Sequence, residues 1–354
     1  MILNFALVGC GRIAKRHSEL LGFEQIKGAR LIAVCDLVEE KSKKIGEQFS
    51  IAHYTDMHQM MRNEKIDVVV VLTESGNHAK NVIELSQYRK HVIVEKPMAL
   101  KLDDADAMIK ACDNAGAKLF VIKQNRFNVP VLKLREALEQ GRFGKLVLGT
   151  VRVRWSRSQA YYDQASWRGT WAMDGGVLAN QASHHIDMLV LMMGDVESVF
   201  ARSMTALANI EAEDTAVVIL KFRNGALGVI EATTATRPKD LEGSISILGE
   251  GGTVEIGGFA LNNIKVWNFV ETKLSDKNVI EKYSVNPPNV YGFGHQAYYE
   301  SVVDCISNNG PHLVDGLVGK KSLKLINAIY KSIETGKEVF LCFKNENCSL
   351  GGAY

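Results

Sequence analysis

Short apolar runs alternate with amphipathic stretches over the first 124 residues of the chain. Residues 3–8, 31–35, 68–72, 91–94 and 119–122 read as strands, and 12–21, 77–88 and 103–115 as helices. Val68-Val69-Val70-Val71-Leu72 is apolar at every position, so both of its faces need cover. Doubly apolar strands alternating with helices predict a parallel sheet with helices on both sides.

The spacing changes after Gln124. A helix over 129–140 leads into longer runs at 146–155, 196–204, 216–222, 226–232 and 244–248, which read as strands. Arg223-Asn224-Gly225 and Gly249-Glu250-Gly251-Gly252 are turn signals between them, so a mostly antiparallel sheet is expected. Helices are expected at 176–193, 296–307 and 314–335. The fold class is therefore α/β: an N-terminal doubly wound parallel sheet over 1–124, then an α/β domain with a large open sheet over 125–354. Ala216-Val217-Val218-Ile219-Leu220 is apolar on both faces. An open sheet with helices on one side only would expose one of them, so a homo-oligomer is expected.

A length of 354 residues suits two domains rather than one core. The net charge of +2 gives no reason to expect a nucleic-acid or membrane surface. No apolar run approaches the roughly 20 residues of a membrane span. The opening residues read as a strand entering a turn rather than a secretion signal. Cys10, Cys35, Cys112, Cys305, Cys342 and Cys348 are scattered, with no C-x-x-C pair, and read as reduced thiols of a cytoplasmic protein.

Gly9-Cys10-Gly11-Arg12-Ile13-Ala14 fits G-x-G-x-x-A between a strand and a helix. Gly9 permits the tight turn, Gly11 lets the backbone approach a pyrophosphate, and Ala14 lets the helix pack closely. The amides of the helix N-terminus, with Arg12 and Ile13, then face the phosphates. Asp36, at the end of the second strand, accepts from both ribose hydroxyls of NAD and would repel the 2′-phosphate of NADP. NAD is the expected cofactor. Leu72, Thr73, His78, Glu95, Lys96, Gln124, Trp167 and Arg168 complete the candidate cofactor contacts.

Two later segments carry candidate chemistry. Glu95-Lys96-Pro97 closes the fourth strand, where an open parallel sheet presents its ligands. Lys96 can reach nicotinamide and substrate there, Pro97 stiffens the turn and is a candidate cis residue, and Glu95 can anchor Lys96. In Gly175-Gly176-Val177-Leu178-Ala179-Asn180-Gln181-Ala182-Ser183-His184-His185-Ile186-Asp187, a helix would bring Asn180 and His184 to one face. Histidine is the usual acceptor of a hydroxyl proton near neutral pH. The catalytic candidates are thus Lys96, His184 and Asn180. His184-His185 with Asp187 lacks the spacing of a zinc helix, so no metal is expected.

Together these motifs resemble the glucose–fructose oxidoreductase / inositol dehydrogenase / MocA family over nearly the whole chain. The resemblance implies a Rossmann domain, a C-terminal α/β domain, and dimers or tetramers packed through the open sheet. It makes Lys96 and His184 the catalytic lysine and histidine. Asn180 stands where that family often carries aspartate; asparagine orients a hydroxyl but exchanges no proton. Lys123-Gln124-Asn125-Arg126-Phe127-Asn128, Tyr161-Tyr162, Ser166-Trp167-Arg168-Gly169-Thr170-Trp171 and Asn180-Gln181-Ala182-Ser183-His184-His185 resemble the branch acting on UDP-N-acetyl-D-glucosaminuronate. That likeness implies oxidation of the sugar 3-hydroxyl for polysaccharide biosynthesis, with NAD recycled on the enzyme by 2-oxoglutarate. A uronate and a diphosphate need cations, for which Arg126, Arg154, Arg157 and Arg168 are candidates. Lys96, Asn180 and His184 complete the candidate substrate contacts. The alternatives are a free-sugar or inositol-type dehydrogenase, and a catalytically inactive NAD-binding regulator, which would be expected to lack Lys96 or His184.

Overall fold

In the computed structural model of the protein, residues 1–258, 261–284, 292–310, 314–341 and 348–352 are described. The chain opens with β1 (Leu3–Val8), α1 (Ala14–Gly22), β2 (Ala29–Cys35), α2 (Glu39–Phe49), β3 (Ala52–Tyr54) and α3 (Met57–Asn63). Then come β4 (Val68–Val71), α4 (His78–Ser86), β5 (His91–Val94), α5 (Leu102–Ala115) and β6 (Leu119–Val121). The middle of the chain holds α6 (Val129–Glu139), β7 (Leu146–Arg154), α7 (Gln159–Tyr162), α8 (Ser183–Met193), β8 (Val196–Met204), β9 (Thr215–Phe222) and β10 (Leu227–Thr233). The last elements are β11 (Glu242–Gly249), β12 (Gly252–Gly257), β13 (Asn263–Phe269), α9 (Val279–Tyr283), α10 (Gly294–Ser307), α11 (Gly316–Thr335) and β14 (Val339–Phe340).

Two compact units result: Met1–Lys123 with His295–Lys320, and Gln124–Gly294 with Lys321–Tyr354. The chain returns to the first unit over 295–320, which a single boundary near Gln124 does not describe.

The first unit carries a parallel sheet in the order β3-β2-β1-β4-β5-β6. Val68, Val69, Val70 and Val71 are fully buried, which is why this strand shows no polar alternation. The strand order reverses between β1 and β4, so ligands belong at the carboxyl ends of Val8 and Val71. The second unit carries eight strands in the order β13-β12-β11-β7-β10-β9-β8-β14, antiparallel except where β10 runs parallel to β7. Its α8 packs on β7 and β11. A Cβ on Gly149 would lie 2.6 Å from Met193 and 2.8 Å from Leu189, so glycine is what lets this helix lie so close. On β9 the alternate residues Val217 and Ile219 are 51% and 54% exposed, and Leu227 on β10, paired with Lys221 on the same face, is 53% exposed.

The expected helix over 176–193 begins only at Ser183. Upstream, the amide of Val177 donates to the carbonyl of Glu213 at 2.9 Å and that of Leu178 to Glu213 Oε1 at 2.9 Å. Ala182 donates five residues back, to Val177. First-turn amides are free in any helix, so it is this wider i−5 step that breaks the regular ladder, and Asn180 sits in the turn before α8. Elements α2, β3, α3, α7, β12, β13, α9 and β14 lie outside the sequence expectations; β3 is only 3 residues long. Cys10, Cys35, Cys112, Cys305 and Cys348 are unbridged, and Cys342 lies outside the described residues. Burial and the charge of Asp36 push the Cys10 and Cys35 thiols up to about 12. Among the described residues no helix is long and apolar enough to cross a membrane.

Candidate active site

In the first unit Gly9 has φ +98, and a Cβ there would meet the backbone of Leu72 at 2.7 Å and of Thr73 at 2.9 Å. The fold itself thus requires this glycine, and Leu72 and Thr73 form the wall behind it. Gly11 differs: a Cβ there would meet nothing described within 4 Å. That open space fits the close approach of a bound group to the backbone. Ala14 is fully buried, whereas Arg12 is exposed beside Gly11. Helix α1 has no side-chain cap and no acidic residue in its first turn, which leaves its positive end for an anion. Asp36 accepts from the amides of Cys10 at 2.7 Å and Val38 at 2.8 Å. It therefore ties the glycine turn to β2, and each oxygen keeps a second lone pair for a ribose hydroxyl. These residues fit a dinucleotide.

His78 is buried behind this rim rather than on it. Its ring bridges the carbonyls of Thr73 at 2.9 Å and Pro97 at 2.7 Å. Burial lowers its pKa despite those carbonyls, so the neutral ring donates to one of them at a time. The Lys96–Pro97 peptide is cis. Glu95 Oε2 accepts from the amide of Lys96 at 2.7 Å, and Oε1 lies 3.2 Å from His17 Nε2. The other nitrogen of His17 is 2.7 Å from the hydroxyl of Tyr299. Burial works against the Glu95 carboxylate, but His17, with the nearby His295 and Lys96, outweighs it and holds the pKa near 2. His17, Glu95 and His295 place one ligand atom each within 4.8 Å of one another, close enough to share a cation. His17 already uses both ring nitrogens, and the group reads as a hydrogen-bonded brace for the Lys96 turn. Positions 17, 95 and 295 are so far apart in sequence that no local signal joins them.

In the second unit His184 Nε2 lies 3.1 Å from the side-chain amide nitrogen of Gln124. An amide N–H donating there marks Nε2 as the unprotonated nitrogen of a neutral ring and occupies its one lone pair. The oxygen Oε1 of Gln124 is buried without a hydrogen bond among the described residues. Rotating the amide would let that oxygen accept from a protonated His184. Gln124, expected at the cofactor, thus partners the candidate base. His185 does something else: it is buried against Trp155, and burial lowers its pKa to about 4. Asn180 Nδ2 donates to Asp174 Oδ1. Glu213 accepts from Leu178 and from the hydroxyl of Tyr330 at 3.0 Å, and burial raises its pKa to about 7.

The four candidate arginines divide. Arg126 makes a two-pronged ion pair with Asp187 at 2.7 and 2.8 Å. Arg154 pairs with Glu231 at 2.6 Å and Glu242 at 3.3 Å. Arg157 pairs with Asp240 at 3.1 Å and lies over Trp155 and Tyr161. Arg168 is held by aromatic rings, 4.6 Å from the centre of Tyr161 and 4.9 Å from that of Trp167. It also donates to the Tyr161 hydroxyl at 2.7 Å. Among the described residues Arg168 is the candidate whose charge no carboxylate balances.

Residues 3–123 match the profile of an oxidoreductase-family NAD-binding Rossmann fold, and residues 135–341 that of the same family's C-terminal alpha/beta domain. The chain belongs to the Gfo/Idh/MocA oxidoreductase family. As a member of that family it carries an NAD-binding Rossmann domain and is an oxidoreductase. It is 42% identical to the WlbA dehydrogenase of Bordetella pertussis, solved with NADH and UDP-GlcNAcA, over 97% of this chain and 99% of that one, at a TM-score of 0.93. Against the WlbA dehydrogenase of Chromobacterium violaceum, solved with the same ligands, identity is 42%, coverage 97% of both chains and the TM-score 0.91. A Gfo/Idh/MocA relative of another name, the myo-inositol 2-dehydrogenase of Thermotoga maritima, is 29% identical over 96% of this chain and 98% of its own length.

Proposed function

We propose that the chain is an NAD-dependent sugar dehydrogenase that oxidises the 3-hydroxyl of UDP-N-acetyl-D-glucosaminuronate. The observation that carries this reading is the 42% identity, over nearly the full length, to two dehydrogenases solved with NADH and that sugar nucleotide. The relatives that act on inositol or apiose are 26–29% identical over similar lengths, which supports a free polyol less well.

When bound, NAD accepts the hydride from the carbinol carbon. His184 Nε2 takes the hydroxyl proton once the substrate hydroxyl displaces the Gln124 amide from its single lone pair. Asn180 orients the hydroxyl. Lys96, on the braced turn after β5, supplies positive charge at the mouth of the dinucleotide sheet. Arg168, with Trp167, serves the diphosphate or uronate, while Arg126, Arg154 and Arg157 hold the fold. 2-Oxoglutarate is the second substrate of this reading, and the proton held on His184 Nε2 would pass to its new hydroxyl oxygen as 2-hydroxyglutarate forms.

Purified enzyme given the sugar nucleotide, NAD and 2-oxoglutarate is expected to form 2-hydroxyglutarate. Turnover of a free cyclitol in preference to the nucleotide sugar would refute the substrate. The half-exposed Val217, Ile219 and Leu227 support a dimer or tetramer through the open face of the second sheet. Ile219→Asp should lower the sedimenting mass, and a wild-type monomer at micromolar concentration would refute the assembly.

A further inference from the structure

Asp174 is buried in the turn that leads toward α8. Its Oδ1 accepts from Asn180 Nδ2, and its Oδ2 accepts from the amide of Gly169 at 2.9 Å. Two donors on two oxygens is the pattern of an ionised carboxylate. Gly169 has φ +71, and a Cβ there would lie 2.8 Å from Ile210, so the turn after Trp167-Arg168 is itself confined. One buried carboxylate thus joins the Trp167-Arg168 loop to the residue at 180.

We propose that Asp174 is a positioning residue that makes asparagine, rather than aspartate, the working residue at 180. The proposal rests on the reading of Asn180 as the group that orients the substrate hydroxyl. A carboxylate only accepts, so Asn180 must turn its NH2 toward Asp174, which directs Oδ1 away from Asp174 as an acceptor. Aspartate at 180 would set two carboxylates in hydrogen-bond contact, and the pair would have to hold a shared proton. Asn180 offers the same acceptor oxygen without the second charge. The surroundings make that charge harder to place. The field of Asp174 reaches Glu213, in the turn before β9, and Tyr162 of α7. Asp214 also acts on Tyr162, and Tyr330 of α11 bonds Glu213.

The pair should also work inverted. In the double variant Asp174→Asn/Asn180→Asp, the new amide at 174 can accept from Gly169 and donate to the new carboxylate at 180. Wild type, Asn180→Asp, Asp174→Asn and the double variant are compared by thermal melting from pH 5 to 8, without substrate. A shared proton raises the folded pKa of the pair, so its stability is present at low pH and lost as pH rises. Asn180→Asp is expected to lose melting temperature relative to wild type progressively from pH 5 to 8, or to fail to fold at pH 8. The double variant should follow the wild-type profile. Its kcat on the sugar nucleotide should exceed that of Asn180→Asp at least tenfold. An Asn180→Asp profile parallel to wild type overturns the proposal, as does a double variant no more stable than Asn180→Asp. Absence of wild-type turnover counts against the substrate reading alone, because the melting comparison is made without substrate.

Discussion

Replacing Arg126 by alanine separates an arginine that binds substrate from one that holds α8. The Asp187 side chain is 1% exposed and that of Arg126 10%, and they meet through two short hydrogen bonds. Without the guanidinium, Asp187 is a buried carboxylate that has lost its countercharge, which costs about 3–5 kcal/mol. In a unit of roughly 200 residues that corresponds to a fall in melting temperature of about 6–20 °C. Differential scanning calorimetry measures it. Arg126→Met combined with Asp187→Leu removes both charges at similar volume and should recover most of the loss. The reasoning is wrong if Arg126→Ala melts within about 2 °C of wild type while the KM for the sugar nucleotide rises. That result would return Arg126 to the substrate.

His184→Ala should lower kcat by about 10²–10⁴-fold while NAD affinity, read by fluorescence titration, stays within about twofold. Gly11→Ala should leave the melting temperature unchanged and weaken NAD at least about tenfold, since its Cβ enters open space that a pyrophosphate needs. Gly9→Ala should lower both, because its Cβ strikes the Leu72 backbone. Glu213 has its pKa raised in the fold from 4.5 to about 7, so the stability it contributes is present below 4.5 and lost as pH climbs through 7. Urea unfolding should show Glu213→Gln gaining on wild type by about 3 kcal/mol between pH 5 and 8; equal slopes would contradict a buried acid.

What could be read from the sequence was local. The G-x-G turn, the all-valine β4 and the doubly apolar β9 are short-range patterns, and each lies on the element the pattern implies. Glu95-Lys96-Pro97 was recognisable because strand end and motif coincide. What escaped was pairing at long range. Nothing near Arg126 announces Asp187, and nothing near Glu95 announces His17 and Tyr299. The start of α8 was misplaced for the same reason. Val177 and Leu178 look helical, but this stretch is tied to Glu213, far along the chain, and closes with the i−5 bond from Ala182 to Val177. The carboxylate partners of Arg154 sit on other strands, so the sequence around it does not announce them.

The excursion of 295–320 back into the first unit has a consequence for synthesis. Tyr299 packs on Phe5 with ring centres 5.8 Å apart and bonds His17, and Val121 donates to the carbonyl of Val314 at 3.2 Å. A ribosome that has delivered only residues 1–123 has therefore made a nucleotide fold with part of its core still missing. N-terminal domains commonly fold as they emerge, but here the core of the first unit is not complete until about residue 320 has left the exit tunnel. The chain between, most of the second unit, has by then already appeared, so the N-terminal fold is among the last parts of the molecule to be completed.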